Sequence, residues 1–170
     1  AITDTATVTI LNDDSAAVTI ADAEAVEGIG VLFVLELTSD VEGDVIIDVS
    51  FSDGTTNSID YTGTTQQVTF VGGVAGIQIV SVPTNDDTFL EEDETFDVSI
   101  ALVSGNSEIV VSDTGVGTIT DNDEASISID DVSINEDAGT AIYTVTLAGN
   151  VQDSFTVNYA TSNNASAIAG

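Results

Sequence analysis

The stretch NDDTFLEEDETF, residues 85–96, carries six carboxylates in twelve positions: Asp86, Asp87, Glu91, Glu92, Asp93 and Glu94. The 170 residues contain no Lys, Arg or His, so no basic side chain can pair with any of these charges. Two like charges about 4 Å apart repel by roughly 1 kcal/mol in bulk water and roughly 4 kcal/mol at an effective dielectric near 20. A chain without bases must spread such charge, live in high salt, or bind cations, and the side-chain donors it offers a cation are oxygens. Ca²⁺ takes about 6–8 oxygens at about 2.3–2.6 Å and accepts irregular geometry, whereas Mg²⁺ prefers a tight octahedron and keeps its waters. Zinc is disfavoured by the lack of His and Cys. The run lacks the D-x-[DN]-x-[DN]-G order of an EF-hand.

Other uses of carboxylates fit less well. Paired acids can hydrolyse glycosides, but they need two separated roles, and sugar sites present aromatic platforms. Here the acids are bunched, Trp is absent and Tyr numbers three. Without His, Cys or Lys the common general bases and activated nucleophiles are missing, which argues against an enzyme. The net charge of -30 argues against nucleic acid, whose phosphates need basic side chains, and against anionic membrane surfaces. The longest apolar run, VLFVL at 31–35, is strand-sized, so no membrane insertion is expected in this segment. Apolar residues nevertheless make up 42 % of the chain, enough to bury a core.

The elements that must position these acids are strands. VIIDVSF (45–51) alternates Val45, Ile47, Val49 and Phe51 on one face, and TFDVSIAL (95–102) alternates Phe96, Val98, Ile100 and Leu102. Period two is the pattern of a half-buried strand. Seven such runs are expected, over about 16–21, 31–38, 44–52, 66–71, 76–82, 94–103 and 115–120. Seven short strands in about 100 residues predict an all-β, immunoglobulin-like sandwich of two antiparallel sheets.

The chain also repeats. ILNDDSAAVTIADAEAVEG (10–28) matches ITDNDEASISIDDVSINED (119–137) at an offset of 109; FVLELTSDV then answers YTVTLAGNV, and VSFSDG answers VNYATS. Residues 15–123 form one complete repeat, 1–14 the last strand and link of a preceding one, and 124–170 the first part of the next, in a head-to-tail tandem array. NAS at 164–166 is a weak glycosylation sequon.

If the seven strands alternate in direction, the loops after the first, third and fifth, with the end of the seventh, share one rim. That rim collects Glu27, Asp53, Asp60, the acids of 86–94, Asp121 and Asp123. Asp40, Glu42 and Asp44 fall at the opposite end and read as a solvated face, and Asp53 before Gly54 reads as a turn residue. Tyr61, Tyr143 and Tyr159 read as packing residues.

The order and spacing of DY (60–61), VTFVGG (68–73), IQIVSVPTNDD (77–87), EEDETFDVSI (91–100) and GTITDND (117–123) resemble the Calx-β domain. The resemblance implies a seven-stranded sandwich with calcium ligands on this rim. It implicates Glu27, Asp60, Asp86, Asp87, Glu91, Glu94, Asp121 and Asp123, with Asp13, Asp14 and Glu136 in the corresponding places of the neighbouring repeats. Asn85 and Asn122 stand where that family commonly has acids. The expected cofactor is Ca²⁺ and the expected partners are neighbouring repeats of the same chain. The expected role is a calcium-stiffened spacer in an extracellular or cell-surface adhesin. Two alternatives are a fibre subunit completed by strand donation from other copies, and a calcium-sensing regulatory domain as in sodium–calcium exchangers.

Overall fold

A computed structural model describes residues 4–162. It divides into two compact units, one of residues up to Asp87 with Glu92–Asn122, the other of Thr88–Glu91 with the chain from Asp123 onward.

The first unit is a β-sandwich. One sheet contains β1 (Val18–Ile20), β3 (Val31–Leu37) and β6 (Gly76–Val82), in the order β1-β3-β6. The other contains β2 (Ala23–Val26), β4 (Val45–Asp53), β5 (Gln66–Phe70), β8 (Glu94–Ser104) and β9 (Thr114–Thr120), in the order β2-β9-β8-β4-β5. Pairing is antiparallel except between β2 and β9, which run parallel. The alternation in sequence becomes alternation in burial. Val31, Phe33, Leu35 and Leu37 of β3 face inward, as do Val45, Ile47 and Val49 of β4 and Phe96, Val98 and Ile100 of β8. Phe33 and Phe51 meet Phe96 edge-on, and Tyr61 stacks flat on it.

One expectation is corrected. The run expected as a single first strand over 16–21 is the first half of a strand that changes sheets. The chain leaves β1 at Ala21 and Asp22 and re-forms as β2 against β9. Carboxylates hold both sides of this crossing: Asp113 Oδ2 accepts the Ile20 N–H at 2.9 Å, and Asp22 Oδ1 accepts the Val116 N–H at 2.8 Å. The inward residues of β2 are Ala23 and Ala25, too small to raise an apolar period in the sequence. Residues 4–14 carry no strand.

The second unit pairs β10 (Ser126–Ile129) with β11 (Val145–Ala148) antiparallel. It also pairs two short strands in parallel: β7 (Phe89–Leu90), from the connection between β6 and β8, and β12 (Asn150–Val151). A 3-10 turn spans Glu136–Ala138. Tyr61 is buried, as a packing residue should be, but Tyr143 and Tyr159 are exposed; among the described residues no second sheet covers β10 and β11. The sequon at 164–166 lies outside the described residues. Among them no helix is long and apolar enough to cross a membrane.

Candidate metal centre

β2 and β9 run side by side and deliver their ends to the same place. Glu27 follows β2; its N–H continues the ladder to Thr120 O at 3.1 Å. Its side chain turns inward and is 8 % exposed, one of three buried polar or charged residues among those described, with Thr56 and Thr84. Oε1 accepts the Asn122 N–H at 3.2 Å. Burial pushes the Glu27 carboxyl above its ordinary value; backbone N–H groups of Asn122 and Asp87 pull it down, and the charges of Asp121 and Asp87 push it up again.

Asp121 and Asp123 follow β9. Glu27, Asp121 and Asp123 each offer a carboxylate oxygen, and the three lie within 4.8 Å of one another. Two oxygens on one Ca²⁺ at about 2.3–2.6 Å can be up to about 5 Å apart, so the spacing suits a single hard cation. Asp121 Oδ1 is buried and has no hydrogen-bond partner among the described groups. A buried carboxylate oxygen left without a donor is costly, and a cation would satisfy it. The donor set is oxygen only and fits Ca²⁺.

The other expected ligands lie outside this group. Asp60 is half-buried; its Oδ2 accepts the Asn57 N–H at 2.5 Å and its main-chain oxygen accepts Asn85 N–H at 2.8 Å. Asp86 is exposed and packs on Gly28, where a Cβ would stand 2.8 Å from Asp86 Cβ; Gly28 has φ +73°, so the close approach and the backbone both require glycine. Asp87 is exposed and reaches the centre through its N–H to Glu27. Glu94 opens β8 opposite Ile119 and is half-buried, as is Glu91. Asp13 and Asp14 are exposed, and Asp14 lines a cleft with Ser39, Asp40, Glu42 and Glu108 at the other end of the first unit. Glu136 is exposed and opens the 3-10 turn of the second unit.

Three features were not read from the sequence. Asp93 Oδ1 accepts the Asp121 N–H at 3.3 Å and so orients the stretch after β9. The two asparagines that replace family acids are donors. Asn85 Nδ2 donates to Ile59 O, and Asn122 Nδ2 donates to Asp86 Oδ1 at 3.3 Å. In a chain without Lys, Arg or His, side-chain amides are a main source of N–H donors among the acids; that scarcity was the available signal. Behind the rim, Thr95 O accepts the N–H groups of Gly54, Thr55 and Thr56, tying the loop after β4 to the start of β8. Tyr61 donates its hydroxyl to Asp53 Oδ1 at 2.9 Å, and burial, with that bond, pushes its phenol up to about 12. Asp44 and Asp40 cap the β5–β6 turn, accepting Gly72 N–H at 2.9 Å and Ala75 N–H at 2.6 Å.

A two-sheet all-β module with three clustered carboxylates at the end of its parallel strand pair defines a β-sandwich with a candidate cation centre. The chain belongs to the Calx-beta domain family, whose profile matches residues 12–125 and again residues 118–170. No curated protein sequence matches it. Among solved structures it is similar to the apo-form Calx CBD1 domain, at 21 % identity and a TM-score of 0.56, over 65 % of this chain and 100 % of that one. It is also similar to CBD12 from CALX1.2, at 20 % identity and 0.52, over 66 % of this chain and 49 % of that one. The Calx CBD2 domain matches at 17 % identity and 0.50, over 64 % and 90 %. At these identities the structures speak to fold alone.

Proposed function

We propose that the chain is part of a calcium-binding spacer array in a large extracellular or cell-surface protein, an adhesin by its composition, in which Ca²⁺ stiffens the joints between neighbouring repeats. The observation that carries this reading is Asp121 Oδ1, buried without a donor beside the buried Glu27. Asp121 belongs to DND, residues 121–123, where the internal repeat ends and the next begins. Glu27, Asp121 and Asp123 would hold the ion, with Asp60, Asp86, Asp87, Glu91 and Glu94 supplying further oxygens from the surrounding loops. Asp13, Asp14 and Glu136 would serve the same roles in adjoining repeats. Ca²⁺ contributes charge neutralisation and directional bonds to several segments at once. The family match, and the similarity to a structure named as the calcium binding domain CBD12 of CALX1.1, agree with this choice of ion. Millimolar extracellular calcium fills sites even of about 10⁻⁴ M affinity. A cytosolic sensor would be expected to carry basic residues, and this chain has none.

Small-angle scattering of the full chain tests the reading. In calcium it should become more extended and less flexible than in NaCl of matched ionic strength, because salt screens repulsion without directional bonds. Identical profiles would remove the stiffened spacer; calorimetry showing no calcium heat would remove the cation site as well.

A further inference from the structure

We infer that the edge Asn150–Gln152 is a dock for the connection that leads into β8, and that Asn150 decides whether the dock is filled. β12 lays Asn150 beside Phe89 and Val151 beside Leu90 in a parallel pair. The Gln152 N–H donates to Leu90 O at 3.2 Å. The Asn150 amide adds side-chain bonds: Nδ2 lies 3.1 Å from Thr88 O and 3.2 Å from Thr88 Oγ1. Two residues of strand are a weak unit by themselves, so the side-chain donor carries a large share of the attachment.

The internal repeat supplies the contrast. FVLELTSDV aligned with YTVTLAGNV places Asp40 and Val41 at the positions of Asn150 and Val151. In the first unit this edge is spent on the β5–β6 turn: Asp40 Oδ1 accepts Ala75 N–H at 2.6 Å, and Val41 O accepts Gly73 N–H at 2.7 Å. A carboxylate only accepts, whereas an amide donates. Asp at 150 could not bond Thr88 O, and its charge would add to that of Glu91, Glu92 and Asp93 next in the chain. The same place in the fold therefore carries an acceptor used locally in one copy and a donor that reaches another segment in the second. The partner this edge fits is a short extended segment presenting a carbonyl and a hydroxyl at one residue. Thr88–Leu90 is such a segment, and it lies between Asp87 and Glu91. The dock itself does not depend on the calcium reading.

Hydrogen exchange of the full chain, run in EDTA and again in calcium, reads the Gln152 amide directly. In the wild type this amide should be protected. N150D and N150A should each raise its exchange about tenfold, the factor that roughly 1.4 kcal/mol carries and within the range of one or two net hydrogen bonds, while amides of β10 and β11 keep their protection. T88A, which removes only the hydroxyl acceptor, should give a smaller rise. An unprotected Gln152 in the wild type, or protection retained in both Asn150 variants, overturns the inference. Should those variants also loosen β10 and β11, T88A decides, and an unchanged Gln152 there overturns it. The absence of any calcium effect would overturn the cation reading, while the dock would still stand or fall by Gln152.

Discussion

The buried carboxylate of Glu27 accepts the backbone N–H of Asn122 at 3.2 Å, across 95 positions of sequence. Through this bond the residue that follows β2 grips the stretch that leaves β9, and Asp121 and Asp123 are held on either side of the gripped amide.

The grip makes the effect of Glu27→Gln depend on calcium. Gln can still accept the Asn122 N–H, but it carries no charge. In EDTA the buried charge is a burden, so the variant should melt at or above the wild type. In calcium the order should reverse, because a filled site at 100 times Kd adds about 2.7 kcal/mol. Melting curves in the two buffers check this; an equal loss in both would mean that Glu27 is purely structural.

Protonation of Glu27 has a definite sign. Its carboxyl sits above the ordinary 4.5 in the folded state, chiefly through burial. The folded chain therefore binds this proton more tightly than the unfolded chain does. Without calcium, the destabilisation from Glu27 is fully present above its folded pKa and is relieved as pH falls through that value toward 4.5. With calcium, the proton competes for the same oxygens, so affinity should fall over the same window. Comparing wild type with Glu27→Gln across this range by calorimetry and by melting isolates the contribution.

The rim and the opposite end should respond differently to loss of charge. Glu91→Gln and Glu94→Gln should each weaken calcium binding about tenfold, or roughly 1.4 kcal/mol. Asp44→Asn, which alters the cap on Gly72 at the far end, should leave affinity unchanged. Equal effects from all three in a calcium titration would point to bulk charge.

Asn85 should not tolerate the acid its family commonly carries. Its amide donates to Ile59 O, while its N–H reaches Asp60 O at 2.8 Å. Asn85→Asp removes the side-chain donor and adds a charge beside Asp86. We expect a loss of about 0.5–1.5 kcal/mol in EDTA by urea denaturation, partly restored by calcium.

Gly117 lies under the Phe96 ring, where a Cβ would stand 2.3 Å from Cζ. Gly117→Ala must displace that ring, on which Tyr61 stacks with centroids 4.4 Å apart, and should cost at least about 1–3 kcal/mol in urea denaturation. An unchanged midpoint would mean that the aromatic cluster yields more easily than its packing implies.

Much of this molecule was legible in the chain itself. Period-two alternation in VIIDVSF and TFDVSIAL marks strands because the pleat sends alternate side chains to opposite faces. The absence of every basic residue makes oxygen-only cation chemistry the readable use of the acids, whatever their positions. A shared acidic rim is an expectation of the same kind, since alternating strand directions bring alternate loops to one end.

What tertiary structure alone decided is which acids converge. Along the chain Asp86, Glu91 and Asp121 look alike, yet the three oxygens within 4.8 Å belong to Glu27, Asp121 and Asp123. The reason is the change of sheets at Ala21 and Asp22. It sets β2 parallel to β9, so that their ends coincide. Because the inward residues of β2 are alanines, local pattern carries no trace of that strand. Likewise nothing local to Asn150 marks it as a donor for Thr88; that follows from a two-residue pairing between segments 62 positions apart. Periodicity is a property of neighbours in sequence, whereas a cation site depends on distances between residues that the fold brings together.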